Sequence, residues 1–406
     1  MFDFAKRRAS SRLGYLFERF PSYNQTFCAR EVIGVRALGC DAPVFSIRGT
    51  EGEPCVSSFS GLTDTIRLPK LFDDILAGDR DFRREVRRAQ EDLRDLWGSE
   101  ADKRRIYEAL WLKRQCRELG ITHVHTHFVG LAARTAFWLN RLGGPTFSLT
   151  AHANDIFRDE PPERLAMIFQ AASAVVTVSD FSAGFLRKNY PATSGKLHRV
   201  YNGIDPGRFP GASFPDGPPL ILSVGRLIEK KGFDDLIAAC GMLGQCAFQC
   251  EIIGDGPMEN HLTEQIGRLG LSDRVRLLGP LREEDIAERL ANARVFALPC
   301  VQGRDGSLDN LPTVIMEAMA AGLPVVSTAL AGIPEMVRDG ESGWLVPERC
   351  PDQLAEKLRH FLTNRELARK MGAEGHRLCV QNFSLDVTAR ALLEALGCHV
   401  ESLVRG

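Results

Sequence analysis

The chain has 406 residues, 44% of them hydrophobic and 25% charged, with 51 Lys and Arg against 52 Asp and Glu. That length calls for two cores of ordinary size, the composition excludes a disordered or disulfide-dense chain, and the balanced charge supplies no field for nucleic acid. Eleven cysteines without a CxxC pair suit the reduced thiols of a cytoplasmic protein better than a disulfide framework or a zinc site.

The N-terminal stretch MFDFAKRRASSRLGYLFERF has no unbroken apolar centre, and no run of eighteen apolar residues follows it. A cytoplasmic chain is expected, with room for peripheral attachment at the inner face of a membrane. RLGYLFERF, APVFSI, ITHVHTHF, PTFSLTAH and AVVTVS read as buried strands, and LAARTAFWLNRLG as a helix between them. Residues 79–118 interleave opposite charges with apolar residues at helical spacing, which predicts a helical segment with a solvated face that includes Arg83, Arg84, Arg87 and Arg88. In ITHVHTHF the period of two puts His123, His125 and His127 on one strand face; a covered central strand is the stronger reading than a metal site, and His127, nearest the carboxyl end, should reach the ligand. His152 in LTAHANDIF stands at another strand end with Asp155 as its acceptor-side neighbour, while Ser179 and Asp180 read as a helix cap, since no G-x-S-x-G elbow surrounds them.

GIDPGRFPGASFPDGPP reads as a domain linker, after which LILSVG, QCEIIGDG, RVRLLGP, RVFALP and PVVST repeat the strand and helix alternation. The class is α/β, with two doubly wound Rossmann-like domains, residues 1–205 and 206–384, facing across a cleft, and a last helix over 385–406 crossing back to the first domain. Ligands of such sheets sit at the carboxyl ends of the strands. There SVGRLIEKKGFDDLI offers Gly225 for close approach, Arg226 as a forked donor and Lys231 as a point charge, a pair of cations suited to a diphosphate. IGDGP supplies Gly254 at a second strand end. In DGSLDNLPTVIMEAMAAG, Pro312 suits the first turn of a helix whose free N–H groups form an anion site; Asp309 lies beside that anion, and Thr313 and Glu317 share one helix face. Met316, Met319, Trp97, Trp111, Trp138 and Trp344 are expected to pack.

Taken together, these pieces resemble the retaining, nucleotide-sugar-dependent glycosyltransferases of family 4, GT-B fold, in their exopolysaccharide branch. The family's Glu-Gly-x-Pro-x-x-x-x-Glu is matched by Asp309, Asn310, Leu311, Pro312 and Glu317, with Asp and Asn in place of the usual Glu and Gly. GRLIEKKG resembles its phosphate-binding Arg and Lys, GDGP its post-strand turn, and AMAAGLPVVSTALAGIPEMVRDGESGWLV the core of its second domain. FERFPSYNQTFCAREVIGVRALG resembles a segment that carries Ser-Glu-Thr-Phe where this chain has Asn24, Gln25, Thr26 and Phe27, a loop expected to border the cleft.

The resemblance implies a hexosyltransferase that takes a UDP- or GDP-sugar and glycosylates a glycan or lipid-linked acceptor, without metal and with retention. It further implies that Asp309 contacts the donor sugar, that backbone N–H groups over Asn310, Leu311 and Thr313 hold the diphosphate, that Glu317 binds the ribose and that His152 donates to the sugar. No general base is assigned, because in such enzymes the departing phosphate takes the acceptor proton. A sugar-nucleotide epimerase or hydrolase, and a non-catalytic nucleotide-sugar-binding protein, are the alternatives; the absence of GxGxxG disfavours a nicotinamide enzyme.

Overall fold

A computed structural model of the chain describes residues 12–22, 25–50, 62–92 and 102–398, with side chains for all of these but 91 and 92. Trp97 and Asn24 lie outside them. The chain forms two compact units. One comprises Met1–Thr177, Leu186–Val200 and Ala389–Gly406; the other comprises Val178–Phe185 and Tyr201–Thr388.

The first unit is built on β1 (Leu13–Arg19), β2 (Val44–Arg48), β3 (Ile66–Arg67), β4 (His123–His127), β5 (Thr146–Ala151), β6 (Ala174–Thr177) and β7 (Leu197–Arg199). All described pairings are parallel, in the order β3-β2-β1-β4-β5-β6-β7. Leu13, Tyr15 and Phe17, alternate residues of β1, face Cys28, Ala29, Val32 and Val35 of the helix Thr26–Ala37. Ala389, Leu392 and Leu393 close the same cluster. Each large side chain buried this way contributes about 1.5–3 kcal/mol. The order reverses between β1 and β4, which makes their carboxyl ends the switch point of this sheet.

The second unit contains β8 (Leu220–Val224), β9 (Gln249–Ile253), β10 (Val275–Leu277), β11 (Val295–Leu298), β12 (Val325–Thr328) and β13 (Gly343–Val346), parallel and in the order β10-β9-β8-β11-β12-β13. Its switch point lies between β8 and β11.

Two expectations change. The Gly/Pro-rich stretch is not a free tether: Phe209 and Phe214 are buried in the core of the second unit, and the N–H of Ala212 donates to the Ala321 carbonyl. The charged segment is helical over Arg80–Asp92 and Lys103–Glu118, and the four named arginines of the first helix are exposed or half-buried. The second helix, however, buries an Arg105–Glu108 pair at 2.8 Å, with Glu108 also bonded to Thr135. Apolar neighbours exclude water there, so these charges face each other.

Candidate active site

The second unit assembles its site at the switch point. β8 ends at Val224, Gly225 and the exposed Arg226 follow, and a 3-10 turn over Glu229–Lys231 leads into the helix Phe233–Met242. Gly232, at φ +68°, starts that helix, and a Cβ there would lie 1.8 Å from the Pro299 carbonyl oxygen. Gly254, at φ +139°, follows β9, and its Cβ would lie 2.0 Å from the Gly225 oxygen. Only glycine permits the left-handed backbone and these close approaches together. The turns after β8, β9 and β11 are thereby drawn into one cluster.

Asp309 enters this cluster from the loop after β11. Its Oδ1 is 2.6 Å from Lys230 Nζ and its Oδ2 is 2.5 Å from Lys231 Nζ. All three side chains are at most 17% exposed. Burial pushes the Asp309 carboxyl up, but the two ammonium groups outweigh it and hold the pKa at about 2. Burial likewise disfavours charge on Lys231, while Asp309 more than restores it and Arg226 opposes it. Gly225 borders the same stem: a Cβ would sit 3.2 Å from Lys231 Cε. The sequence reading named Arg226, Lys231 and Asp309 but missed Lys230. In EKKG nothing distinguishes two adjacent lysines, whereas the turn aims both at one carboxylate.

Asn310 behaves differently from the glycine it replaces in the family pattern. It is absent from the residues with positive φ, so the backbone has no need of glycine here. Its side chain is buried, accepting from Ser179 Oγ and donating to Ser182 Oγ, both at 2.7 Å. Ser179 Oγ also accepts from the Ser182 N–H at 3.0 Å, which is the expected helix cap. Pro312 stands just before the helix Thr313–Ala320 rather than inside its first turn, with ψ 110°. Leu311 is buried, Thr313 opens the helix, and Glu317 lies half-buried one turn on, while Met316 and Met319 fill core as expected.

In the first unit His123, His125 and His127 are all buried. His123 bonds Thr146 and Ser148 Oγ atoms at 2.9 and 2.8 Å, and His125 bonds Ser148 and Thr150 at 2.7 and 2.9 Å. The register His123↔Thr146, His125↔Ser148 explains this ladder. His127 does not open outward; it lies between Glu31 and His152. His152 follows β5 and is 6% exposed. Asp155, read as a ligand neighbour, instead accepts from the backbone N–H groups of Val129, His152 and Ala153 and holds the loop that carries His152. Gln25 precedes the helix Thr26–Ala37, and Phe27 packs its ring 4.8 Å from that of His152. Glu31, which sequence reasoning passed over, is thus the acidic member of this cluster.

Two Rossmann-ordered parallel sheets, each with polar and charged groups at its switch point, describe a GT-B glycosyltransferase. Residues 208–378 match the family described as Glycosyl transferases group 1, and residues 74–208 match Glycosyltransferase Family 4. A protein of Escherichia coli (strain K12) named as colanic acid biosynthesis glycosyltransferase WcaL is 31% identical over 378 residues, 86% of this chain and 90% of that one. The chain belongs to the family 4 glycosyltransferases. The fold is also that of a glycosyltransferase from Rickettsia africae ESF-5, with TM-score 0.72, 18% identity and coverage of 95% and 98% of the two chains. Anabaena HepE in complex with UDP gives TM-score 0.69 at 16% identity, over 95% and 99%.

Proposed function

We propose that this glycosyltransferase moves a hexose from a UDP- or GDP-sugar to a hydroxyl of a glycan or lipid-linked acceptor, with retention, in the assembly of an exopolysaccharide or cell-envelope polysaccharide. The observation that carries the donor is the cation cluster of Arg226, Lys230 and Lys231 at the switch point of the second unit. When the bond from the sugar to the diphosphate breaks, negative charge grows on the phosphate, and fixed cations there lower the barrier without reorganising. Asp309 pairs with both lysines and fixes them in place, and it favours the charged form of Lys231. An arriving diphosphate shares them with the carboxylate, and Arg226 supplies the forked contact. The positive charge is provided by side chains, so turnover should persist in EDTA. Glu317 and the N–H groups at the start of its helix hold the ribose and phosphate, and His152 donates to the transferred sugar. The reading of polysaccharide assembly draws on the likeness to WcaL. No helix among the described residues is long and apolar enough to cross a membrane.

Calorimetric titration with UDP and with GDP tests the donor site. Lys231→Ala should weaken binding of the preferred nucleotide by about 1–3 kcal/mol, the loss of one charge-assisted contact. Equal affinity in the variant and the natural chain, for both nucleotides, would remove the phosphate role. Incubating the chain with the bound nucleotide's sugar and following the anomeric proton of the product tests retention.

A further inference from the structure

Lys230 and Lys231 converge on a single carboxylate. Asp309 holds Lys230 through Oδ1 at 2.6 Å and Lys231 through Oδ2 at 2.5 Å. A carboxylate edge and a phosphoryl edge are alike to these lysines, since each sets two anionic oxygens on one central atom and accepts charge-assisted hydrogen bonds. Asp309 thus takes from the ammonium groups the hydrogens that an anionic ligand would take. Lys230 Nζ also donates to the Leu308 carbonyl at 3.3 Å, while Lys231 Nζ has no second hydrogen-bond partner among the described residues. Arg226, exposed and close enough to oppose charge on Lys231, forms no ion pair among them. Glu229, the acid within the turn, lies 3.5 Å from Arg304 and Arg349 instead of serving the lysines. Three cations therefore surround one acid. The surplus attracts a further anion, and the carboxylate sets a like charge where that anion arrives.

The backbone on both sides of Asp309 is tied down. Leu308 is held to Lys230 through its carbonyl, and Asn310 to Ser179 and Ser182 through its side-chain amide. What can move is the carboxylate on its one methylene. The two ammonium groups hold its pKa at about 2, so it stays ionised throughout the neutral range. A diphosphate that reaches the lysines then meets hydrogens already given to Asp309 and a negative charge in contact with its own, a juxtaposition that costs affinity. We propose that Asp309 is a built-in competitor of the donor's diphosphate, and that its carboxylate lowers the affinity of the site so that the nucleoside diphosphate product can leave. This role rests on the reading of Arg226, Lys230 and Lys231 as the diphosphate site. Asp309 has two effects of opposite sign there: placing the lysines favours binding, and competing for them opposes it. Competition outweighs placement because a bound diphosphate itself supplies the negative charge that holds both ammonium groups.

Calorimetric titration of the natural chain and of Asp309→Asn with UDP, GDP and inorganic pyrophosphate tests the competition. The variant nearly keeps the shape of the side chain and removes its charge. The expected result is binding of the preferred nucleotide and of pyrophosphate roughly tenfold tighter in Asp309→Asn, the effect of one charge-assisted contact. Saturating nucleotide should correspondingly raise the Tm of the variant more than that of the natural chain. Equal or weaker binding of every one of these anions overturns the proposal and leaves Asp309 to place the lysines alone. Tighter pyrophosphate with no nucleotide bound by either protein upholds the competitor and removes the nucleotide reading; no binding of any of the three by either protein removes both. Should Asp309→Asn fail to fold, the double variant Lys230→Gln with Asp309→Asn keeps the net charge of the natural cluster. Set against Lys230→Gln alone, it should again bind the anions more tightly, and equal affinity of the two overturns the proposal.

Discussion

Asp309 stands between two ammonium groups, so deleting the acid and deleting one base have different consequences. Without Lys231, the carboxylate keeps Lys230; without the carboxylate, two half-buried cations are left facing each other. Asp309→Asn should therefore destabilise the second unit by about 1–3 kcal/mol in urea unfolding, while Lys230→Ala should cost less. Glu317→Gln should raise the KM for the nucleotide sugar and leave the fold intact, and unaltered kinetics would take Glu317 out of the ribose role. His152→Ala should lower kcat more than nucleotide affinity. The sequence singled out Asp309 and Glu317 by the spacing of one motif, and Lys231 by its place in SVGRLIEKKG. It hid Lys230 and Glu31: the first repeats its neighbour, and the second sits in FCAREVIGVRA, an ordinary amphipathic pattern whose partner lies 96 residues away.

At the level of elements, the strands with long apolar runs were legible, and those that sequence reasoning missed are short. β3, β7 and β13 have two, three and four residues and lie at sheet edges, where a strand has fewer neighbours to satisfy and needs no apolar run. The alternating histidines of β4 were visible, but their meaning was not. It lies in the matching Thr146, Ser148 and Thr150 of β5, and strand register is a property of the pair. The loop before the helix Thr313–Ala320 is held in the same non-local way, through Asn310 and the two serines. Asn310→Ala leaves both hydroxyls without that partner and should cost about 1–3 kcal/mol of stability. Asn310→Gly, closer to the family pattern, should be no better, because the backbone here gains nothing from glycine. Comparing the urea midpoints of the two variants checks this.

For the whole molecule, the buried histidines predict acid sensitivity well above the usual carboxylate range. Burial lowers His123 from 6.5 to about 4, and His125 and His152 fall well below their ordinary value. As pH drops below about 6.5, the unfolded chain takes up protons that these folded rings refuse, and stability declines by up to about 1.4 kcal/mol per pH unit for each group. For His123 the loss is complete near pH 4. His127 runs the other way: its raised pKa gives stability that is full below about pH 6.5 and is lost as pH rises through the folded value. Asp309 contributes above its ordinary 3.8, and that contribution is lost only as pH falls toward about 2. Thermal melts from pH 6.5 to pH 5 should therefore show a falling Tm, and His123→Gln should lessen that fall.

The division of the chain has its own consequence for how the molecule comes into being. The helix Leu385–Ala395 begins among residues of the second unit, and Ala389, Leu392 and Leu393 complete the core against Val32 and Val35 of the first. These residues are translated after all of the second unit. The first unit therefore waits on the ribosome with its apolar face uncovered until its neighbour has been made, and the usual order, in which the earlier domain folds first, is here interrupted.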